Sequence, residues 1–523
     1  MESLTSGLRW RQSTLKPIQI TENYSFNIAE NSGYEGEPLS PDSRMFHEPN
    51  LNVYNIAILG IKYPINPAIL YEKLPHALLK HPHFCSLQVV DDKNEGEMKW
   101  VPTNVNLDNH IIIPTIPQNL NSPDTFLEDY VFNLSKTSIN ASKPLWDLHL
   151  LNLKTSGAEA IALFRIHQSL GDGTSLISWL LACSRQISNP DAVPTIPTNK
   201  GSNSGWLSSN NLSVPGPWWQ RWYMAVGLVF WLVLNTLVDV GNFMLTALYL
   251  KDTETPIKVP VGDEFNPRRL VYRTVSLDDM KLIKNAMNLT INDVALGITQ
   301  AGLSQYLNRK YGNLKKDEGA TEKKNNLPKK NIRLRSLLLI NLTPSSGIQA
   351  LADMMEKNTE AKWGNSLGYI LLPFTIGIRD DPLDYIREAK VTIDRKKRSL
   401  EAIYTFSIAK FVYKFFGIKV ASSLSHKIMS RTTLSFSNLV GPLEEIGFYG
   451  HHMEFIASGS YGQPHGLMIN FQSYVNKMTI VLSVEENTIP DPHKLLDDFE
   501  GSLKLIKEAV YARGLLVKEN TFT

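Results

Sequence analysis

The segment from Ala160 to Gly173 restricts the fold more than any other part of the chain. Ala160 to Ile166 (Ala-Ile-Ala-Leu-Phe-Arg-Ile) is a short apolar run suited to a buried strand, and Gly171-Asp172-Gly173 soon after it is a turn signal. Leu176, Ile177, Leu180, Leu181 and Ile187 then recur at helical spacing, with Thr174 or Ser175 placed to cap the first turn. Strand, turn and helix in this order indicate a layered α/β protein. Such a turn lifts the side chains at the strand's end into the kind of crevice where α/β sheets hold ligands. Taken alone, His167-Gln168-Ser169-Leu170-Gly171-Asp172-Gly173 also fits an ordinary strand-to-helix turn with a satisfied histidine.

The alternation recurs along the chain. Val53 to Ile61 and Trp146 to Leu151 read as strands, and Phe126 to Leu134 as a helix. A linker rich in Pro, Ser, Asn and Gly follows, from Ser188 to Pro217. Strands are expected again at Leu270 to Val275, Leu334 to Leu342 and Leu367 to Ile378. Leu467 to Tyr474 and Lys477 to Val484 form a hairpin pattern, and Pro492 to Val510 a closing helix. With 523 residues, 43% of them hydrophobic, the chain can bury substantial cores and should contain at least two domains. The expected divisions are an N-terminal extension (1–36), a first domain (37–187), a linker with an apolar segment (188–259), a second domain (260–515) and a tail (516–523).

Charge and cysteine content narrow the functional classes. The 53 basic and 51 acidic residues leave +2, which gives no global electrostatic case for nucleic acid as a partner. Cys85 and Cys183 are the only cysteines and lie far apart, so neither a disulfide framework nor a cysteine metal site is supported, and a reducing, cytosol-facing environment is expected. Arg9, Arg11 and Lys16 precede no apolar segment of the secretory type. The stretch from Arg309 to Arg335 holds ten Lys/Arg and three acidic residues and reads as a solvated loop, with anionic headgroups or coenzyme A phosphates as short-range partners.

Several separated blocks carry a resemblance. They are Glu37-Pro38-Leu39-Ser40-Pro41, Pro144-Leu145-Trp146, the segment from His167 to Gly173, Asn292-Asp293, Asn341-Leu342-Thr343-Pro344, Trp363-Gly364-Asn365-Ser366-Leu367-Gly368, Ser437-Asn438-Leu439-Val440-Gly441-Pro442 and Tyr461-Gly462-Gln463-Pro464-His465. In this order the chain resembles the plant wax ester synthase/diacylglycerol acyltransferases, a bifunctional membrane-associated family of the chloramphenicol-acetyltransferase-like superfamily, from roughly Glu37 to Ala509. The resemblance implies two similar α/β domains with the active site at their interface, and a membrane-associated apolar helical insertion between them. It implies acyl-CoA as a substrate, not a cofactor, and a long-chain alcohol or diacylglycerol as acceptor, with no metal and no covalent enzyme intermediate.

The family motif is His-His-x-x-x-Asp-Gly, and its second histidine is the catalytic base. That position is Gln168 here; His167 matches the first histidine. Imidazole suits proton abstraction because its pKa lies near neutrality, whereas an amide is neither appreciably basic nor acidic. His167 is the obvious substitute, but neighbouring side chains on an extended strand point to opposite faces. The resemblance makes Asp172 structural, holding the turn through the helix dipole, with Arg165 as a conceivable partner. Gly173 is expected to supply a backbone conformation or a close approach that a larger residue would block. Asn292 and Asp293 are either a helix cap or part of the site, and Ser437 and Asn438 either ordinary turn chemistry or donors to a tetrahedral oxyanion. His451, His452 and His465 are either a base supplied across the interface or surface and packing residues, and no spacing singles any of them out. Two functions remain open: an O-acyltransferase impaired by Gln168, making wax esters and triacylglycerol, or a non-catalytic paralogue that binds acyl-CoA, lipid or a partner enzyme.

Trp222 to Leu250 is a run of twenty-nine residues whose one charge is Asp239. As one straight helix it would be roughly 44 Å long, enough to cross a bilayer. A single crossing would separate the two halves that the family's site requires. Asp239-Val240-Gly241-Asn242 also interrupts the run, so two segments are expected, Trp222 to Val238 and Phe243 to Leu250, lying on the membrane or dipping in and returning, with Trp218, Trp219, Trp222 and Tyr223 at the interface. A helix buried between the domains is the alternative. The family expectation is a cytosol-facing endoplasmic reticulum membrane, with the plasma membrane as the other candidate.

Overall fold

The structure is a computed structural model describing residues 36–91, 97–197, 218–314, 324–342, 347–357 and 363–515. The N-terminal residues up to 35, the tail, most of the Ser188–Pro217 linker and Lys315, Lys316 and Lys323 lie outside the described residues.

Two mixed sheets organise the molecule. The first runs Ile111–Ile112, Trp146–Leu151, Ala160–His167, Tyr54–Ile61, His451–Tyr461, Ile446–Phe448 and Ser184–Gln186. The second runs Leu367–Phe374, Leu334–Asn341, Leu434–Leu439, Leu467–Tyr474, Lys477–Glu485 and Arg268–Ser276. The sheets do not follow a division of the chain at its middle. Ile446–Phe448 and His451–Tyr461 come from the second half yet belong to the first sheet, where Tyr461 pairs with Tyr54 and Phe455 with Gly60.

Ala160–His167 is buried at every position, as its unbroken apolar run requires, and pairs antiparallel with Tyr54–Ile61 so that His167 lies opposite Tyr54. On one face of the first sheet, Trp179 stacks between Phe84 and Phe164, with ring centroids 4.4 and 5.5 Å away. The second core gathers Phe471, Phe499 and Tyr306 around the helix Ile291–Leu314, which packs between Pro382–Lys397 and Pro492–Ala512.

Three local expectations change. The helix after the turn is Gly173–Ala182, capped by Asp172 and not by Thr174 or Ser175, whose amides instead donate to the Asp172 carboxylate at 3.3 and 3.1 Å. It stops before Ile187, which is exposed just beyond the edge strand Ser184–Gln186. The apolar run forms one continuous helix, Trp218–Leu248, and not two segments. Asp239 does not break it because the carboxylate is buried against cations from another helix: Arg395 Nη2 at 2.5 Å and Lys396 Nζ at 2.9 Å. Lys396 also holds Glu401 at 2.7 Å.

The last part of this helix is docked on the second sheet. Phe243 and Ala247 enter a core with Tyr369, and Arg335 reaches both Thr246 Oγ1 and the Asp252 carboxylate, each at 2.6 Å. The N-terminal part is different: Trp222, Tyr223, Phe230, Trp231 and Leu237 are all exposed. Over Trp222–Leu248 the mean hydropathy reaches 1.8, and 11% of that window is buried. The basic stretch also divides. Arg309 and Lys310 lie near the end of a helix, paired with Asp498 and Asp491, and Arg335 lies inside a strand, leaving Lys324, Lys329, Lys330 and Arg333 exposed.

Candidate active site

A cavity of about 620 Å³ opens between the two sheets. The first sheet contributes Asn55 and Ala57, the turn contributes Gln168, Asp172 and Gly173, and the second sheet contributes Asn341, Ser437 and Asn438. Asn292 lies on its wall, at the start of the helix Ile291–Leu314. Six of the eight candidate site residues therefore meet in one space: Gln168, Asp172, Gly173, Asn292, Ser437 and Asn438. His167 and Asp293 do not reach it.

His167 and Gln168 diverge as the strand ends. The His167 ring turns away from the cavity: Nδ1 lies 2.7 Å from Ser169 Oγ and Nε2 3.1 Å from Asn52 Oδ1. Burial holds its pKa well below the ordinary histidine value, and the nearby His47 adds to this. Gln168 begins a short 3-10 turn, and its side chain lines the cavity. Its Oε1 accepts from Asn55 Nδ2 at 2.6 Å, while its backbone N–H donates to Val53 O at 2.9 Å. Asn365 Nδ2 donates to its carbonyl oxygen at 3.1 Å.

Asp172 is tied to the second sheet by an amide and not by an arginine: Asn341 Nδ2 donates to Asp172 Oδ1 at 2.9 Å. Arg165 instead grips Asp147 on the neighbouring strand, with Nε to Oδ1 at 2.9 Å and Nη2 to Oδ2 at 2.5 Å. The glycine roles shift as well. A Cβ on Gly173 would meet only Leu439 methyls at 3.8 Å, an ordinary contact. A Cβ on Gly171 would lie 2.8 Å from Trp363 Cζ2, on an indole pinned by its Nε1 donating to Leu170 O at 2.7 Å. The close approach in this turn therefore belongs to Gly171.

The Asn292-Asp293 pair splits between two jobs. Asp293 forms a reciprocal cap with Thr290, its Oδ2 accepting from the Thr290 amide at 2.7 Å and from Oγ1 at 2.8 Å. Asn292 Oδ1 accepts from Asn438 Nδ2 at 2.6 Å, joining two blocks far apart in sequence. Pro144-Leu145-Trp146 is packing, with Trp146 buried and its Nε1 donating to Phe84 O at 2.9 Å. His451 and His465 are buried and His452 pairs with Glu445; none of the three lines the cavity. Burial lowers the His465 pKa to about 3.

Among the described lining residues the ionisable groups are Asp172, Lys396 and Lys397; no histidine is present. The wall is otherwise a ring of amides and hydroxyls over apolar side chains. Such a surface can orient a carbonyl or hydroxyl, and Gln168 gives it no proton acceptor of histidine's strength. Asn55, Asn341, Asn365 and Trp363 were not singled out from sequence as site residues. The last three lie within the quoted blocks, which was the available signal.

Known structures share this architecture. A wax ester synthase/diacylglycerol acyltransferase from Marinobacter aquaeolei VT8 superposes with a TM-score of 0.54 at 14% identity, covering 91% of this chain and 100% of the other. The first condensation domain of the CDA synthetase superposes with a TM-score of 0.51 at 10% identity, covering 92% and 97%. These place the chain in the two-domain α/β class of condensation and chloramphenicol-acetyltransferase-like folds. Residues 63–295 match the wax ester synthase/diacylglycerol acyltransferase catalytic domain, and residues 363–507 match the WS/DGAT C-terminal domain. Wax ester synthase/diacylglycerol acyltransferase 6 of Arabidopsis thaliana is 50% identical over 92% of this chain and 94% of its own length; number 5 is 50% identical over 92% and 95%. This chain belongs to the wax ester synthase/diacylglycerol acyltransferase family.

Proposed function

We propose that this chain is an acyl-CoA-dependent O-acyltransferase that forms wax esters from long-chain alcohols and triacylglycerol from diacylglycerol, slowed by Gln168. The alcohol oxygen adds to the thioester carbonyl carbon, the C–S bond breaks as the tetrahedral adduct collapses, and the hydroxyl proton ends on the departing sulfur. Ser437 and Asn438 are the groups assigned to the developing oxyanion, and Asp172, held by Asn341, is assigned to fixing the turn. The observation that carries this reading is the Gln168 side chain on the cavity wall, at the position of the family's base, with His167 turned away. Loss of a general base costs on the order of 10² to 10⁴ in rate and leaves what proximity and oxyanion stabilisation supply.

The absence of histidine from the described cavity lining favours a second reading, a non-catalytic protein that holds acyl-CoA or lipid in the same space. Incubating purified protein with labelled palmitoyl-CoA and either hexadecanol or diacylglycerol, beside Gln168→His, separates the two. Slow ester formation by the wild type supports the enzyme. Binding without ester, with activity only in Gln168→His, supports the second.

The exposed part of Trp218–Leu248 is assigned to the cytosolic face of a membrane, the endoplasmic reticulum by family expectation. A single crossing is unsuitable because the chain before and after the helix joins in one sheet, through the pairing of Tyr54–Ile61 with His451–Tyr461. The helix packs against Glu401–Ser430, which is broken at Gly417 and whose Phe411, Phe415 and Phe416 are also exposed, and both sets of apolar side chains are assigned to one leaflet.

A further inference from the structure

The helix Glu401–Ser430 has an inner and an outer face. Inward it covers the edge strand Leu367–Phe374: Glu401 Oε1 accepts from the Leu371 amide at 3.0 Å, and Thr405 Oγ1 from the Tyr369 amide at 2.9 Å. Outward, before the break at Gly417, Tyr404, Phe411 and Phe415 stand 50, 55 and 62% exposed. They form one row, because residues four and seven apart share a helix face. Lys410 and Lys414 make a parallel row one residue earlier, and both are exposed. Past the break, Lys419 and Val420 are exposed side by side.

The charge on this surface has one sign. The packed helices Trp218–Leu248 and Glu401–Ser430 contain only two acidic residues, Asp239 and Glu401, and both are buried against Lys396. Exposed helical lysines elsewhere are matched to a carboxylate one turn away: Lys281 with Asp278, Lys357 with Asp353 and Lys504 with Glu500, at 2.7 to 2.9 Å. Lys414 and Lys419 have no such partner among the described residues; Lys414 Nζ lies 5.8 Å from the centre of the Phe415 ring, and Lys410 Nζ 5.0 Å from that of Phe406. Lys410 also neighbours Asp42, whose Oδ2 is engaged by the Leu367 amide at 2.9 Å. A chain almost balanced in charge overall, 53 basic against 51 acidic residues, thus leaves this face without countercharge.

An apolar row beside a cationic row suits the surface of a bilayer, with rings in the acyl boundary and ammonium groups reaching the headgroups on flexible stems. A neutral leaflet would match the rings alone; the lysines call for net negative charge. An acidic protein would match the lysines, but the neighbouring helix exposes Phe230, Trp231 and Leu237 beside them, which favours lipid.

We propose that the outer face of Glu401–Ser430 selects anionic phospholipid, with Lys410, Lys414 and Lys419 at the headgroups and Phe411 and Phe415 in the acyl boundary. This rests on the membrane attachment proposed above and adds the lipid class and the residues that recognise it. The full chain, diluted from detergent, is titrated with vesicles of phosphatidylcholine alone, or mixed with phosphatidylserine or with phosphatidylglycerol, and the bound fraction is read by flotation. Both anionic mixtures should bind the wild type more tightly than the neutral one, and about 1 M salt, where the Debye length is roughly 3 Å, should remove the difference. Lys410→Gln, Lys414→Gln and Lys419→Gln should each weaken anionic binding by about fivefold, and together on the order of 10², with neutral binding and melting temperature unchanged. Equal wild-type binding to neutral and anionic vesicles, or a preference that the triple variant keeps, overturns the proposal and leaves membrane attachment standing. A preference lost instead in Lys329→Gln with Lys330→Gln assigns it to the basic loop and overturns the proposal as well. Flotation with no vesicle at all would count against both readings.

Discussion

The turn distinguishes two glycines that look equivalent in sequence, and stability measurements on Gly171→Ala and Gly173→Ala separate them. At Gly171 the new methyl would meet Trp363 Cζ2 at 2.8 Å. The indole cannot retreat freely, because its Nε1 is bonded to Leu170 O at 2.7 Å and its ring packs edge-on to His81, centroids 4.3 Å apart. Overpacking of this kind costs about 1 to 3 kcal/mol. At Gly173, the first residue of its helix, the methyl meets nothing closer than 3.8 Å, and alanine also restricts the unfolded chain, so the change should lie between neutral and about 1 kcal/mol stabilising. Near 2 to 4 °C per kcal/mol for a unit of 150 to 250 residues, the first variant should melt roughly 2 to 12 °C lower and the second at or slightly above wild type. Thermal unfolding followed by tryptophan fluorescence in one detergent reads both. A Gly173→Ala protein as destabilised as Gly171→Ala would refute the steric argument.

Arg165→Leu should destabilise the first sheet by about 3 kcal/mol, because it leaves the buried Asp147 carboxylate with His149 Nε2, at 3.1 Å, as its remaining ion-pair partner, while Arg165→Leu with Asp147→Leu should recover part of that loss in a denaturation cycle. Additive losses would show that the pair is not coupled. Replacing Phe230, Trp231, Phe411 and Phe415 with glutamate should shift the protein from floating with anionic vesicles to remaining in the soluble fraction, with little change in melting temperature because these side chains are exposed. Unchanged flotation would remove this face as the attachment surface.

What the sequence revealed follows from the range of the interactions involved. Ala160–His167, the hairpin Leu467–Tyr474 with Lys477–Glu485 and the closing helix Pro492–Ala512 were legible because an apolar run, an alternating pattern and helical spacing are local signals. His451–Tyr461 was not, since Glu454, Ser458 and Gly459 weaken its pattern and its place beside Tyr54–Ile61 depends on pairing across the whole chain. In sequence Asp239 interrupts the apolar run because a lone carboxylate there is costly. Arg395 and Lys396, more than 150 residues away, remove that cost.

At the site, the divergence of His167 and Gln168 was legible from strand geometry, whereas the partners were not. Asp172 lies 169 residues from Asn341, and Arg165 found Asp147 on the adjacent strand. Nothing short of the sheet order pairs them. The glycine assignment moved for the same reason: only the structure brings Trp363 against Gly171.

Gln168 as the limit on catalysis is tested most directly by the pH dependence of acyl transfer in wild type and Gln168→His, at saturating palmitoyl-CoA and hexadecanol. The account predicts a slow wild-type rate with no histidine-like limb. In Gln168→His it predicts a gain on the order of 10² to 10⁴, with a rise toward neutral pH as the new imidazole loses its proton. A wild-type rate equal to that of Gln168→His, or a histidine limb already present in the wild type, would contradict it.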